Sequence, residues 1–472
     1  MTVDVVFRGA TVIDGTGAES FVADVAIEDG VISSVGDCPR GARSDVDATG
    51  RVLAPGFIDI HTHDDWALLS HPDLSFKILQ GVTTVVTGNC GSSPVPFVEW
   101  ADSVVRARPA VNVAPLVGHG SFRDHVTADR AARPLDGNEM GRLVSLVADA
   151  LDKGAFGLST GLVYEPGRWS EPSEIEEVVR LVADHDGLYT THMRSESGGL
   201  LESIEETLRV ARATGARSQI SHLKAIGPEN WNKIESAIAL IANAIDDGLD
   251  VAADHYPYAR GSTMLDQLVS AGAFRGPSVF GHLTGDLVTI ASAPHNPGWE
   301  GRSLDEIALE LGCDVPEAAE HIARSEGQGC AVITASQSED NLRTVLQSDF
   351  VMIGSDGLPT GSRPHPRLHH TFPRILGTCC RDRRIVDLVT AVRKMTAMSA
   401  DRLRLSDRGR ISPGLRADLV LFDAATISDT GTYENPTTVP SGIESVWVNG
   451  IQVVTSGRVT GERPGHLLRH RV

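Results

Sequence analysis

The sequence predicts an α/β fold, namely a (β/α)8 barrel of the TIM type that carries a small β-sandwich domain and one insertion. Three observations lead to this prediction. Apolar runs alternate with amphipathic segments through the middle of the chain, both chain ends alternate apolar and polar residues at period two, and one long gap interrupts the middle.

The two chain ends have the pattern of β-hairpins. VDVVFRGATVIDG and ADVAIEDGVISSVG near the start are matched by ADLVLFDAAT and ESVWVNGIQVVTSGRVTG near the end. Neither end alone has enough strands to bury one face of a sheet. We therefore expect residues 1–53 and 410–472 to pair into one small β-sandwich domain.

The middle of the chain contains eight apolar runs, each followed by a small or polar cluster. Amphipathic segments with apolar residues at i, i+3, i+4 and i+7 lie between several of them. Such alternation indicates a parallel sheet covered by helices, and eight units are the number that closes a barrel. The runs are VLAPGFIDIHTH (52–63), GVTTVVTGNC (81–90), VNVAPLVGHG (111–120), AFGLSTGL (155–162), GLYTTHMR (187–194), RSQISHLK (217–224), DVAADHYPY (250–258) and DFVMIGSDG (349–357).

We expect the catalytic barrel to cover residues 54–409. About ninety residues separate the seventh run from the eighth, so an insertion at about 263–348 is the simplest explanation. A long ordered segment of this kind, placed over the barrel mouth, often acts as a lid. A surface subdomain with no role at the site is an equally good interpretation.

The charge balance restricts the class of partner. The 472 residues include 42 Lys and Arg against 62 Asp and Glu, which gives a formal charge of −20. Such a surplus of negative charge disfavours nucleic acid and anionic membrane surfaces, and a small-molecule substrate is expected instead. The N-terminus lacks the pattern of a signal peptide and no run of 18 apolar residues occurs, so we expect a cytoplasmic protein. The sequence does not indicate an oligomeric state.

Metal-competent side chains collect at the carboxyl ends of the predicted strands, where barrels of this type place catalytic residues. Two histidines at positions i and i+2 lie on one face of a strand, and a thiolate with imidazoles suits zinc. A carboxylate beside the metal can accept the proton of a water molecule. The candidate ligands are His61, His63, Cys90, His192, His222 and Asp356, and Asp356 is also the candidate catalytic base. His119, Asp254 and His255 are assigned to the barrel rim rather than to the site.

The motifs around these residues resemble the N-acyl-D-amino-acid deacylase (D-aminoacylase) family of the amidohydrolase superfamily. The resemblance runs from Ala54 to the C-terminus and is carried by GFIDIHTH, VTTVVTGNCG, STGLVYEPG, THMR, ISHLKAIG, YPYARGSTML and GSDGLP…HPRL…TFPRILG. It implies that Cys90, His192 and His222 hold one tight zinc ion, and that His61, His63 and Asp356 define a second, weaker position. It also implies that Asp356 is the catalytic acid and base.

The resemblance further assigns four residues to the carboxylate of the substrate's amino-acid moiety, namely Lys224, Tyr256, Ser262 and Arg367. Guanidinium and ammonium groups suit a carboxylate, although both cations could instead neutralise nearby acidic residues. The predicted activity is zinc-dependent hydrolysis of N-acyl-D-amino acids to a carboxylate and a D-amino acid. The alternative is a hydrolase of cyclic amides such as hydantoins or lactams, which would use the same machinery. A binding protein that has lost activity is disfavoured, because the HxH motif and Asp356 are both present.

Overall fold

The computed structural model describes residues 3–39, 41–127 and 132–470. Its strands in chain order are β1 Val5–Val12, β2 Phe21–Glu28, β3 Val31–Gly36, β4 Ser44–Asp47, β5 Val52–Pro55, β6 Phe57–Asp59, β7 Val82–Thr87, β8 Asn112–Pro115, β9 Val117–Gly118, β10 Gly157–Gly161, β11 Leu188–His192, β12 Arg217–Ile220, β13 Val251–His255, β14 Gly261–Met264, β15 Val288–Ser292, β16 Ala331–Thr334, β17 Val351–Ile353, β18 Leu419–Phe422, β19 Ile443–Val448, β20 Ile451–Thr455 and β21 Arg458–Val459.

The α-helices are α1 Ala67–Ser70, α2 Ser75–Ile78, α3 Phe97–Ala107, α4 His119–Val126, α5 Gly137–Asp152, α6 Pro172–Asp184, α7 Leu200–Thr214, α8 Ile234–Asp246, α9 Leu265–Ser270, α10 Leu304–Leu311, α11 Val315–Glu326, α12 Glu339–Gln347, α13 Arg367–Arg374, α14 Leu388–Met395 and α15 Ala397–Arg402. A π-helical segment, Ile375–Asp382, continues α13. Within the described residues, no helix combines the length and the apolar character needed to cross a membrane.

Every predicted apolar run contains a parallel strand. The hydrogen-bonded orders are β6-β7-β8 and β9-β10-β11-β12-β13-β17, and β8 and β9 are two parts of the third run, separated at Leu116. The N–H of Leu116 donates to the carbonyl of Thr87, and a parallel bridge between Thr62 and Gly357 joins the first run to the last. Strands β7 and β10–β13 are buried along their whole length, as expected for a sheet covered on both faces. The predicted mixed α/β class is confirmed.

Both chain ends contribute to one sheet. Within the described residues its order is β21-β20-β19-β18-β5-β1-β2-β3, with β4 also paired to β1. The first apolar run is divided by this arrangement, because β5 pairs with β18 and β1 whereas β6 pairs with β7. The division falls at Gly56, where a Cβ atom would lie 2.2 Å from the side chain of Thr83. The first strand of the parallel series, β6, therefore begins later than the apolar pattern suggests.

The insertion has a sheet and an apolar core of its own. Strands β14, β16 and β15 form an antiparallel sheet, and α9–α11 pack around a cluster that includes Leu265, Leu304 and Val332. Val163, which follows β10, belongs to the same cluster, and Tyr164 packs against it. The segment predicted as an insertion thereby packs against the loop after the fourth apolar run, beside the carboxyl end of β10.

Candidate metal centre and active site

The candidate ligands lie at the carboxyl ends of the parallel strands, as the sequence predicts. His61 and His63 follow β6, Cys90 follows β7, His192 ends β11, His222 follows β12 and Asp356 follows β17. In a sheet of parallel strands these ends meet at one edge, so side chains far apart in sequence converge.

One group of donors surrounds the thiol of Cys90. The Sγ atom lies 3.2 Å from His61 Nε2 and 3.5 Å from His222 Nε2, and Asp356 Oδ1 lies 3.4 Å from His61 Nε2. One ligand atom from each of these four buried residues lies within 4.8 Å of the others. A sulfur atom, two imidazole nitrogens and a carboxylate oxygen form a donor set that suits zinc.

A second group shares His222 and adds His192 and Glu196. Glu196 Oε1 lies 2.8 Å from His222 Nδ1, and Glu196 Oε2 lies 3.3 Å from His192 Nε2. The Nδ1 atom of His192 is buried and has no hydrogen-bond partner in the described part of the chain. Buried polar atoms are normally paired, so an imidazole left in this state beside a thiol fits a residue that binds a metal ion.

Asp356 connects the histidine pair to a cation. Its Oδ1 atom is 3.0 Å from His63 Nε2, and its Oδ2 atom is 3.0 Å from a terminal nitrogen of Arg367. Burial alone would raise the pKa of the Asp356 carboxyl, but Arg367 and His61 hold it well below its ordinary value. Burial alone would lower the pKa of His63. The interactions with Asp356 and Cys90 together outweigh burial and raise this pKa to about 9. The carboxylate form of Asp356 is therefore strongly favoured.

The thiol of Cys90 is also held in its charged form. Burial would raise the pKa of this thiol, but the neighbouring His61 and His222 lower it well below the ordinary value. The thiolate is the form of cysteine that binds metal ions.

Three of the candidate ligands occupy a strained backbone conformation. The φ angles are 52° at Cys90, 36° at His222 and 49° at Asp356. This left-handed region costs a residue other than glycine on the order of 1–3 kcal/mol and is concentrated at functional sites. In each case the turn comes shortly after a parallel strand and brings the side chain to the shared donor cluster.

Asp254 contacts two of the candidate histidine ligands, His61 and His222. Its Oδ1 atom lies 3.0 Å from His61 Nδ1 and accepts the backbone N–H of His222 at 2.9 Å, and Gln219 donates to its other oxygen. A carboxylate in this place sets the tautomer and the orientation of a metal-binding imidazole.

Lys77 joins β6 to the turn after β17. Its ammonium group is fully buried and lies 2.7 Å from Asp59 and 2.9 Å from the hydroxyl of Ser355. The other oxygen of Asp59 accepts the N–H of Ser355, and the N–H of Asp356 donates to the carbonyl of His61. These contacts hold Asp356 in place relative to the HxH motif.

The residues expected to bind a substrate carboxylate surround the same centre. Lys224 Nζ lies 2.7 Å from both Glu196 Oε1 and His222 Nδ1. The guanidinium of Arg367 lies 4.4 Å from the ring centre of Tyr256 and donates to the backbone carbonyl of Ser262 at 3.4 Å. Both cations are thus paired with carboxylates, as the alternative interpretation of the sequence proposed, and both lie beside the donor groups.

A cavity of about 560 Å³ opens above these residues. Its walls include Cys90, His192, His222 and Asp356 at the ends of the parallel strands, and Thr263 and Phe280 from the segment between β13 and β17. The volume is typical of a small-molecule site.

Three residues that contact the site, Glu196, Asp254 and Lys77, are not among the site residues predicted from the sequence. Glu196 stands four residues after His192, and Asp254 ends a predicted strand, so their positions gave a signal. Lys77 lies in a short helix with no motif, and only the structure shows that it reaches Ser355.

The chain is similar over nearly its whole length to proteins of known activity. Residues 45–454 match the model of the amidohydrolase family. An N-acyl-D-glutamate deacylase from Alcaligenes xylosoxydans xylosoxydans is 38% identical over 99% of this chain and 96% of its own length. A D-aminoacylase solved to study one-metal activation and second-metal attenuation in its binuclear metal centre has a TM-score of 0.91 at 39% identity, over 99% of this chain and all of the other. An N-acyl-D-glutamate deacylase from Bordetella bronchiseptica was solved with zinc and a phosphonate mimic of the tetrahedral intermediate. It has a TM-score of 0.92 at 35% identity, over 99% of this chain and all of the other.

These matches, over nearly the whole chain, identify a metal-dependent hydrolase that acts on linear amides. The chain belongs to the N-acyl-D-amino-acid deacylase (D-aminoacylase) family of the amidohydrolase superfamily, which confirms the resemblance seen in the sequence.

Proposed function

We propose that this protein uses zinc to hydrolyse N-acyl-D-amino acids to a carboxylate and a D-amino acid. We also propose that the eight parallel runs form a (β/α)8 barrel and that the sheet of the two chain ends forms a small β-sandwich. The observation that carries it is the position of Asp356, which lies 3.0 Å from His63 on one side and 3.0 Å from Arg367 on the other. One carboxylate thereby links the donor cluster to a cation suited to an acidic substrate.

The donor set fits zinc because it combines a thiolate with imidazoles, and because His192 Nδ1 lacks a hydrogen-bond partner in the described residues. Cys90, His192 and His222 would hold the tight ion, and His61, His63 and Asp356 a weaker second one. When bound, zinc supplies Lewis acidity that polarises an amide carbonyl and makes a water molecule more acidic.

Asp356 performs the proton transfers. Its carboxylate takes a proton from the attacking water, whose oxygen forms a bond to the amide carbon. The same carboxyl then gives the proton to the amide nitrogen as the C–N bond breaks, so that the amine leaves neutral. Arg367 and His63 keep the group ionised before the first step and hold its two oxygens in place.

Lys224, Tyr256, Ser262 and Arg367 orient the substrate through its carboxylate. Arg367 is held over the Tyr256 ring and against the Ser262 carbonyl, so its position is fixed before the substrate binds. Lys224, which lies 2.7 Å from Glu196 Oε1, supplies a second positive charge.

The deciding experiment measures the release of free amino acid from paired D and L N-acetyl amino acids, with zinc analysis of the same sample. We expect turnover of the D substrates only, and at least one zinc ion per chain. Faster opening of a hydantoin than of any N-acyl amino acid would instead support the cyclic-amide alternative.

The carboxylate contact has a separate test. Arg367→Ala should reduce kcat/KM more on an N-acyl-D-amino acid than on its neutral carboxamide, because only the acid has a carboxylate to hold. Loss of one charge-assisted hydrogen bond predicts an extra reduction of roughly 10–150-fold. Some loss is expected on both compounds, since Arg367 also contacts Asp356. Equal losses on acid and carboxamide would remove Arg367 from the substrate site.

A further inference from the structure

The imidazole of His365 is buried just before α13 and uses both of its nitrogen atoms. Its Nδ1 atom accepts the backbone N–H of Arg367 at 3.0 Å, and its Nε2 atom lies 3.0 Å from the backbone carbonyl of Arg260. Burial and the guanidinium of Arg367 hold the pKa of this imidazole well below its ordinary value. A neutral imidazole has one donor and one acceptor, so Nδ1 accepts, Nε2 donates, and both partners are satisfied.

These two hydrogen bonds join the segments that carry the residues proposed to bind the substrate carboxylate. Arg260 stands between Tyr256, which follows β13, and Ser262 in β14, whereas Arg367 begins α13. The guanidinium of Arg367 lies 4.4 Å from the ring centre of Tyr256 and 3.4 Å from the carbonyl oxygen of Ser262. The spacing between the two segments therefore decides where this guanidinium lies, and His365 bridges that spacing.

Two tyrosine rings enclose the imidazole. The ring centres of Tyr258 and Tyr433 lie 5.1 Å and 5.2 Å from that of His365, and both rings are nearly perpendicular to it. Tyr433 comes from the segment between β18 and β19, and its ring also lies 4.4 Å from the guanidinium of Arg260. The same ring packs against three apolar residues of the antiparallel sheet, namely Ala291, Ala331 and Ile333. The C-terminal part of the chain thus supports His365 directly.

We propose that His365 is a positioning residue for the substrate carboxylate, which holds Arg367 in register with Tyr256 and Ser262, and that Tyr433 keeps His365 in place. This inference rests on the proposed function. His365 and Tyr433 are not among the described residues that line the cavity, so they act through Arg367 rather than by contact with the substrate. A group that is fixed before the substrate binds loses less freedom on binding, and a displacement of about 1 Å can be costly.

The first test replaces the imidazole in three ways. His365→Ala removes both hydrogen bonds, the oxygen of His365→Asn can replace Nδ1 alone, and the nitrogen of His365→Gln can replace Nε2 alone. We expect His365→Ala to reduce kcat/KM for an N-acyl-D-amino acid by roughly tenfold or more beyond its loss on the neutral carboxamide. His365→Asn and His365→Gln should each show a smaller excess loss, because each keeps one of the two contacts.

Inhibition by the free D-amino acid provides a second measure, because this product has the carboxylate but no amide bond to break. Its inhibition constant should rise in His365→Ala by about the same factor as the excess loss of kcat/KM. Equal losses on acid and carboxamide, with an unchanged inhibition constant, would overturn this inference and leave the proposed function intact. A wild-type protein that cleaves no N-acyl-D-amino acid would refute the proposed function, and this inference with it.

His370 provides the matched control. It is buried on the same helix, and its Nε2 atom lies 3.2 Å from the hydroxyl of Thr438, in the same segment as Tyr433. His370→Ala should lower the midpoint of thermal unfolding, as His365→Ala does, but leave the acid-to-carboxamide ratio of kcat/KM at the wild-type value. If both variants change this ratio equally, any disturbance of α13 is sufficient and His365 has no specific role.

A double-mutant cycle tests whether His365 acts through Arg367. In the Arg367→Ala background the guanidinium is already absent, so His365→Ala should change the acid-to-carboxamide ratio little further. Changes of the ratio that simply multiply in the double variant would show that the two residues act independently, which contradicts the proposal.

The role of Tyr433 is tested by a pair of variants. Tyr433→Ala removes the ring that encloses His365 and should lower the acid-to-carboxamide ratio in the same direction as His365→Ala. Tyr433→Phe keeps the ring and should restore most of the ratio. Zinc content should remain at the wild-type level in both variants, because neither touches the donor cluster. A wild-type ratio in Tyr433→Ala would show that the C-terminal segment does not support the carboxylate site.

Discussion

In the proposed function, Cys90 is the residue on which zinc binding would depend most. Its thiolate supplies negative charge and a soft sulfur ligand, and its Sγ atom is within 3.5 Å of two histidine nitrogens. We expect Cys90→Ala to be purified without its zinc, as measured by elemental analysis. The matched control is Cys330→Ala, because Cys330 is buried in the core of the insertion and burial raises the pKa of its thiol to about 12. That variant should lose stability and keep its zinc, whereas unchanged zinc in Cys90→Ala would show that Cys90 is not a ligand.

The proposed function gives Asp356 two separable tasks, to shuttle a proton and to contribute to the weaker metal position. Asp356→Asn preserves the shape of the side chain but cannot take a proton from water. We expect this variant to fold, to retain the tightly bound zinc and to lose about 10²–10⁴-fold in kcat, which steady-state kinetics would measure. If it keeps more than about a tenth of the wild-type kcat, a proton shuttle at this position would be ruled out.

At the scale of secondary structure elements, Gly161 controls how closely β10 approaches the Cys90 turn. A Cβ atom at position 161 would lie 2.1 Å from the carbonyl oxygen of Cys90, so the turn that carries the thiolate would have to move. We expect Gly161→Ala to lower both the midpoint of thermal unfolding and the zinc content, measured on the same preparation.

Gly141 provides the control for this variant. It lies inside α5, and a Cβ atom there would meet nothing within 4 Å. Gly141→Ala should therefore raise the free energy of unfolding by about 0.5–1 kcal/mol through helix propensity and leave zinc unchanged. Equal effects of the two substitutions would contradict a specific role for the approach between Gly161 and Cys90.

Much of this element-scale arrangement could be predicted from the sequence. Each candidate ligand stands at or just beyond the carboxyl end of a parallel strand, because strand period and the placement of polar residues at strand ends follow local and general rules. The split between β5 and β6 could not be predicted, because Val52–Pro55 and Phe57–Asp59 are equally apolar and only tertiary pairing separates them. The contacts of Glu196 could not be predicted either, because its carboxylate lies between two neighbouring strands and contacts both His192 and His222.

The charges of the whole molecule include two histidines, one buried and one half-buried, that are neutral when the protein is folded. Burial, with His370 and the Lys77 ammonium nearby, lowers the pKa of His369 to about 4, and burial with Lys224 lowers the pKa of His255 to about 3. An unfolded chain would protonate these side chains near pH 6.5. Between these values the unfolded state binds more protons than the folded state, so the free energy of unfolding rises with pH and falls as pH is lowered from about 6.5 toward 4.

The contribution of His369 to acid sensitivity can be isolated. His369 packs beside Phe76, with 5.9 Å between the ring centres, and it lies outside the metal-binding residues. His369→Gln removes the titrating group, so the decrease in thermal midpoint between pH 7 and pH 5 should be smaller than in the wild type. His71→Gln is the control, because His71 is exposed on the surface, and it should leave the decrease unchanged. All three proteins are measured at one zinc concentration, so that loss of metal in acid affects them equally. If His369→Gln and the wild type lose the same number of degrees, the neutral state of His369 does not contribute to acid unfolding.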